Sequence, residues 1–282
     1  MTIQESNILI LGCNGMLGTD LVRICNKENF KIRALDLPVF DITDTKQLEE
    51  YVKDSDIVIN CAAYTNVDGA ETEKQLAYNI NAQAVGNLGS IARKNDVWVI
   101  HISTDFVFDG QKNAPYRETD KANPISQYGI TKLEGEKLLA QSGCNYTIMR
   151  VQWTYGHSGN NFVSKLIQRA KTSETVKVVD DQIGSPTATT EVANAIITLL
   201  NKKPEGLFHF ANADYVSRYE MAQFIFDKLN MNVNLFPCKT SDYITPAKRP
   251  LNSRFDCSKI SAILDKPIES WKTVLGRYLD KL

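Results

Sequence analysis

Long hydrophobic runs are missing from this 282-residue chain. None approaches the ~18 apolar residues that a membrane-spanning helix needs. The stretch MTIQESNILILG has no basic segment and only a short apolar run, so no secretory signal peptide is expected. An excess of one charge is missing too: 32 Lys and Arg face 33 Asp and Glu, a net charge of −1. The basic residues are spread out, which argues against nucleic acid or a membrane surface as partner. Cysteine is sparse, with six residues far apart and no C-x-x-C (Cys13, Cys25, Cys61, Cys144, Cys238, Cys257). That reads as reduced thiols in a cytoplasmic protein. His101, His157 and His209 are scattered, so no metal-ligand spacing is found. No repeat or low-complexity segment occurs. At 43% hydrophobic residues, the chain can bury a core near the upper size for one domain.

What is present is alternation. NILILG, KIRALD, DIVINCAAY, VWVIHIS and YTIMRVQW are five short apolar runs, with helical patterns between them. The first of those helices spans about residues 16–27. Short apolar strands separated by helices predict a parallel sheet buried on both faces. Right-handed crossovers make it an α/β, Rossmann-like, doubly wound fold. Residues 1–155 read as the dinucleotide-binding domain, its sheet completed by later strands. From 156 to 282, strands thin out and loops such as DDQIGSPT and TPAKRPLNSRFD alternate with helices. This is a smaller, mostly helical part with a soft boundary. In SRYEMAQFIFDKL, the spacing of Met221, Phe224, Ile225 and Leu229 predicts core packing.

Ligands of a doubly wound sheet bind at the carboxyl ends of its strands. After the first strand comes GCNGMLG, with Gly12, Gly15 and Gly18. Glycines allow a tight turn and close approach of backbone amides to a pyrophosphate, and the next helix points its positive end there. Met16 and Leu17 sit within the same candidate site. After the second strand, Asp36 is placed to accept from an adenosine ribose 2′-hydroxyl, which favours NAD, while Arg33 and Lys31 nearby soften that preference. Asp41, with Ile42, reaches toward the adenine side. After the third strand, Ala62 and Ala63 let a cofactor lie close to the backbone. The fourth strand ends in Ser103, Thr104 and Asp105, where a substrate carbonyl would sit.

NPISQYGITKLEGEKLL carries Tyr128 and Lys132 four residues apart, hence on one helix face. A phenol near pKa 10 is a poor proton shuttle at neutral pH. A cation within ~4–6 Å favours its ionised form. Tyr128 is therefore the candidate general acid, with Lys132 lowering its pKa and reaching the nicotinamide ribose, and Thr104 holding the same substrate oxygen. Gly135, farther along that face, permits close helix packing.

In GCNGMLG, NCAAYTNVDGAE, HISTDFVFDG, YGITKLEGE, RVQWTYGHSGNNFV, VVDDQIGSPT and TPAKRPLNSRFD, the chain resembles the dTDP-4-dehydrorhamnose reductase family of extended short-chain dehydrogenases, over nearly its whole length. The first and fourth stretches are shared by many short-chain dehydrogenases, and the last three are more specific. The resemblance implies NADPH or NADH, a Rossmann domain with a small sugar-nucleotide domain, a dTDP-4-keto-6-deoxysugar substrate and frequently a homodimer. It assigns Thr104 and Asp105 to the sugar, Tyr128 to proton transfer, Lys132 to the cofactor ribose, Ala63, Tyr64 and Thr65 to the cofactor, and Trp153 to the substrate. Some members bind Mg²⁺ at the dimer interface, which nothing in this sequence indicates. Where the family often reads S-T-D-Y, this chain has Phe106.

The second half is consistent with that reading. Trp153 follows the fifth strand and offers a flat apolar wall. Asp180, Asp181, Gln182 and Ser185 put acceptors on one loop. Arg249, beside Lys248 and Arg254, suits a pyrophosphate. The expected reaction is reduction of dTDP-4-dehydro-L-rhamnose to dTDP-L-rhamnose, for cell-surface polysaccharide. The alternatives are another nucleotide 4-keto-sugar reductase or epimerase, or a non-catalytic regulatory subunit of the methionine adenosyltransferase type. The latter would favour loss of Tyr or Lys, and both are present.

Overall fold

β1 (Ile8–Leu11) is ILIL because both its faces are covered. Its neighbours continue the pattern in this computed structural model, which describes residues 3–282. α1 (Met16–Lys27), β2 (Ile32–Leu35), α2 (Thr45–Val52), β3 (Ile57–Asn60), α3 (Lys74–Tyr78), α4 (Ala84–Asn95), β4 (Trp98–Thr104), α5 (Gln127–Gln141) and β5 (Tyr146–Val151) complete the first half. The second half contains β6 (Thr154–Tyr155), α6 (Phe162–Thr172), β7 (Thr175–Val179), β8 (Ile183–Gly184), β9 (Thr187–Ala188), α7 (Thr189–Lys202), β10 (Gly206–Phe210), β11 (Val216–Ser217), α8 (Arg218–Lys228), β12 (Asn234–Cys238), α9 (Ser258–Ser261) and α10 (Trp271–Leu279).

The main sheet has six parallel strands in the order β10-β5-β4-β3-β1-β2. Strand order reverses at β1, so a crevice opens at the carboxyl ends beside it. Leu21, Ile24 and Cys25 of α1 and Val192, Ile196 and Leu199 of α7 cover one face. Leu48, Val85, Leu88 and Leu139 of α2, α4 and α5 cover the other. The sheet is thus completed by β10, and α7 packs beside α1 on the first half's face. The remaining second half has its own core, in which Met221 and Ile225 of α8 meet Leu166 of α6 and Trp271 and Leu275 of α10. Phe224 and Leu229 pack at its margin. Its strands form only two-stranded ladders, β12–β7, β11–β8 and β6–β9. No helix among the described residues is long and apolar enough to cross a membrane.

Candidate active site

The glycine turn after β1 is shaped by what a side chain would strike. Gly12 has φ +79°, and a Cβ there would lie 2.5 Å from the Ala62 nitrogen. A Cβ on Gly18 would lie 2.1 Å from the Gly12 carbonyl oxygen. Gly15 precedes α1, and no side chain caps that helix. Its first amides therefore remain for an anion. The turn opens onto a cleft of about 670 Å³ at the strand ends. Lining it are Gly12, Gly15, Met16, Leu17, Gly18, Asp36, Asp41, Ile42, Ala63, Thr65, Thr104, Asp105, Tyr128, Lys132 and Trp153. The Asp36 carboxylate accepts from the backbone amides of Asn14 (2.8 Å) and Leu37 (2.8 Å), tying the turn to the end of β2. The Arg33 guanidinium sits 4.5 Å over the Tyr51 ring. This elongated cleft, with a side-chain-free turn at one end, fits a dinucleotide.

Tyr64 is placed differently from the expectation. Its side chain is not part of the cleft lining, and its hydroxyl donates to Glu73. Buried Asn81 accepts its backbone amide at 2.8 Å. Arg249, expected at the substrate's pyrophosphate, lines a neighbouring cavity and not this cleft. It pairs with Asp68 at 2.8 Å and donates to Thr245 and the Ala247 carbonyl.

α5 starts where Ser126 accepts the Gly129 amide at 3.2 Å and Glu71 accepts the Gln127 amide at 2.8 Å. It lies hard against backbone. A Cβ on Gly129 would come 2.1 Å from the Phe106 carbonyl oxygen, and one on Gly135 would come 2.1 Å from that of Asn81. Tyr128 and Lys132 consequently face the cleft. Phe106, at the position where a tyrosine was the common alternative, packs edge-on to the Tyr128 ring at 5.5 Å and fixes its plane.

The electrostatics depart from the expectation that Lys132 lowers the phenol pKa. Burial pushes Tyr128 up to about 12; the Thr104 hydrogen bond pulls it down and Asp105 pushes it up. The Lys132 ammonium group is engaged elsewhere. It donates to the Ile102 carbonyl at 2.7 Å and meets His101 Nε2 at 3.3 Å. On the other side of that ring, Asn60 Nδ2 lies 3.2 Å from Nδ1, while Asn60 Oδ1 accepts the Ala62 amide. Asn60 Nδ2 can only donate, so Nδ1 accepts, Nε2 carries the proton, and that side of the ring offers the Lys132 ammonium no acceptor. Burial lowers Lys132 to about 8, although Glu136 opposes the shift. Tyr128 therefore keeps its proton at neutral pH, as an acid must.

Asp105 is 3% exposed. It accepts from Ser253 at 2.5 Å and from Thr104 at 3.1 Å. Burial raises it from 3.8 to about 6, against the pull of Ser253, Thr104 and Arg218. The neutral form is thus favoured by the fold. Its stabilising contribution is complete below 3.8 and is lost as pH rises through about 6. Asp105→Asn is neutral throughout. The melting temperature of wild type should therefore fall relative to that variant between about pH 4 and pH 7. A gap that stays constant over that window would contradict the assignment.

Trp153 adopts φ +45°, a strained conformation for a bulky residue. The ring has little freedom: a Cβ on Gly184 would lie 2.6 Å from its edge, and the Arg218 guanidinium stacks at 3.5 Å from its centroid. Beyond Trp153 lies a second cavity of about 410 Å³, with Phe162, Lys165, Arg169, Lys177, Gln182 and Arg249 among its lining residues. The two cavities share Phe106, Trp153 and Arg218. Of the second loop's acceptors, Asp181 is taken by Thr240 at 2.6 Å and Asp180 by Lys239 at 2.9 Å. Arg218, His101, Asn81 and the cations of α6 and β7 were not anticipated from the sequence. Arg218 merely opens an ordinary capped helix, and no local pattern sets it apart. Among the described residues, no group of three or more His, Cys, Asp or Glu is placed to hold a metal ion.

The arrangement has relatives. The family model described as RmlD substrate binding domain matches residues 6–282. The dTDP-4-dehydrorhamnose reductase of Aggregatibacter actinomycetemcomitans is 37% identical, covering 96% of this chain and 97% of the relative. A crystal structure of the Clostridium acetobutylicum dTDP-4-dehydrorhamnose reductase superposes with a TM-score of 0.93 at 37% identity, over 98% of this chain and 99% of that one. That of the Bacillus anthracis dTDP-4-dehydrorhamnose reductase, solved in complex with NADP, does so with a TM-score of 0.94 at 35% identity, over the full length of both.

Proposed function

The chain belongs to the dTDP-4-dehydrorhamnose reductase family, and from that premise we propose that Tyr128 is the proton donor in its NAD(P)H-dependent reduction of dTDP-4-dehydro-L-rhamnose to dTDP-L-rhamnose. The observation that carries this assignment is the meeting of two cavities at Phe106, Trp153 and Arg218, with the Tyr128 and Thr104 hydroxyls lining the larger one. The cofactor belongs in the cleft of the glycine turn, and the sugar nucleotide in the smaller cavity. The sugar's keto carbon then lies at the junction.

When bound, the dihydronicotinamide supplies a hydride to the 4-keto carbon. Gly12, Gly15 and Gly18 with the α1 amides hold its pyrophosphate, and Lys132 holds its ribose. Tyr128 donates to the carbonyl oxygen, whose charge grows as the bond forms, and Thr104 donates to it as well once its hydroxyl turns from Asp105. Tyr128 gives up its proton to that oxygen, which is more basic than a phenolate. The tyrosinate left behind takes a proton back from solvent through the open cleft, which resets the acid. Asp105 and Trp153 orient the sugar. The division of work at about residue 155 follows, with α7 and β10 returning to the cofactor sheet. The same reading includes a homodimer and a cytoplasmic setting, where six unpaired thiols persist. With substrate and NADPH, the protein should oxidise the cofactor, and dTDP-L-rhamnose should accumulate. Interconversion of nucleotide sugars without net oxidation of cofactor would instead indicate an epimerase.

Asp36 sets cofactor preference in this account. Its carboxylate repels a 2′-phosphate and accepts from a free 2′-hydroxyl, so NADH should serve at least as well as NADPH. A charge-assisted hydrogen bond is worth about 1.5–3 kcal/mol, or roughly 10- to 100-fold. Two backbone amides already share this carboxylate, so the lower end is expected. Asp36→Ala should move the kcat/KM ratio about tenfold toward NADPH. An unmoved ratio would mean that another side chain reads the ribose.

A further inference from the structure

We propose that Arg218 grips the diphosphate of the sugar nucleotide where it passes from the smaller cavity into the cofactor cleft. The inference rests on the reductase reading and adds a residue that the resemblance does not supply. Arg218 lines both cavities. Its guanidinium lies 3.5 Å from the centroid of Trp153 and 4.7 Å from that of Phe162. Stacking occupies the faces of the fork and leaves its N–H edges free to donate. Among the described residues, those edges make no hydrogen bond and no ion pair.

The neighbouring groups explain why the guanidinium is left available. Asp105 is the carboxylate that attracts it, yet Asp105 is held by Ser253 and Thr104 and forms no ion pair with it. Arg249, the arginine expected to meet the pyrophosphate, is already committed to Asp68, Thr245 and the Ala247 carbonyl. Lys165, Arg169 and Lys177 also line the smaller cavity, but their side chains are exposed. Arg218 is half-buried, and burial lowers its pKa to about 9, with Asp105 opposing the shift and the nearby Arg249 charge adding to it. Leaving a cation so placed is costly unless an anion joins it. A diphosphate offers paired oxygens that match a planar fork.

The test is a cycle between ligand and side chain, using dTDP and dTMP with the full-length protein. Binding is measured by calorimetry for wild type, Arg218→Gln and Arg218→Lys. Wild type should prefer dTDP to dTMP by about tenfold or more. In Arg218→Gln that preference should collapse to within about twofold, and Arg218→Lys should be intermediate, since it keeps the charge and loses the fork. A residue that only supports the Trp153 ring would weaken both nucleotides equally. A preference for dTDP that stays at the wild-type value in Arg218→Gln, or in Arg218→Lys if the Gln variant does not fold, overturns the proposal. Failure of wild type to bind either nucleotide would count against the reductase reading itself.

Discussion

Tyr128→Phe should lower turnover by about 10²-fold or more while leaving NADPH affinity within about twofold. The substitution keeps the ring, its 5.5 Å edge contact with Phe106 and the start of α5. It removes only the hydroxyl that carries the proton. Burial holds that phenol up at about 12, so at neutral pH it stays protonated and can act as an acid. Without it, the oxygen developing charge at C4 keeps Thr104 as donor but has no group to take a proton from. Steady-state turnover and cofactor titration, measured on the same preparation, separate the two effects. Turnover near the wild-type value would remove Tyr128 from the mechanism.

Arg150→Met should destabilise the fold by about 3–5 kcal/mol, the cost of leaving a buried charge without its partner. Glu136 lies on α5 one turn beyond Lys132, and its side chain is 6% exposed. Arg150 on β5 meets it through two nitrogens, at 2.8 and 2.6 Å. Ser103 at the end of β4 donates to the same carboxylate. The Arg150 guanidinium also sits 5.0 Å from the centroid of Phe108 and 3.4 Å from His209. This network ties the helix that carries Tyr128 and Lys132 to two central strands. The melting temperature should drop by on the order of 10 °C. Replacing both partners, as Glu136→Gln with Arg150→Met, should cost less than the single change, because no naked carboxylate is left. A double variant less stable than Arg150→Met would contradict this account of the pair.

Local patterns in the sequence made much of the fold legible. α1 runs over Met16–Lys27 as its glycine turn and periodicity predict, and the five apolar runs are five strands of the sheet. β10 was harder to read: GLFHF is short, begins with glycine and carries a histidine. It becomes a strand by pairing with β5, which lies far away in sequence. The cleft was legible because its residues follow strand ends, where topology gathers them. What spacing could not supply was competition among partners. Tyr128 and Lys132 do share a helix face, but only the fold reveals that the Ile102 carbonyl claims the lysine. Tyr64 follows the third strand, yet Glu73 draws its hydroxyl away from the cleft. Arg249 has the right chemistry for an anion and is engaged with Asp68, whereas Arg218 becomes significant only when Trp153 and Phe162 are brought against it.

The central claim is transfer of hydride to the 4-keto carbon, with the oxygen protonated from the protein side. The most direct test supplies NADPH doubly deuterated at the reactive nicotinamide carbon, together with dTDP-4-dehydro-L-rhamnose, in ordinary water. The account predicts dTDP-L-rhamnose with a single deuterium, on C4 of the sugar, and one equivalent of cofactor oxidised. Deuterium at any other carbon, or cofactor left reduced in the presence of that substrate, would contradict it.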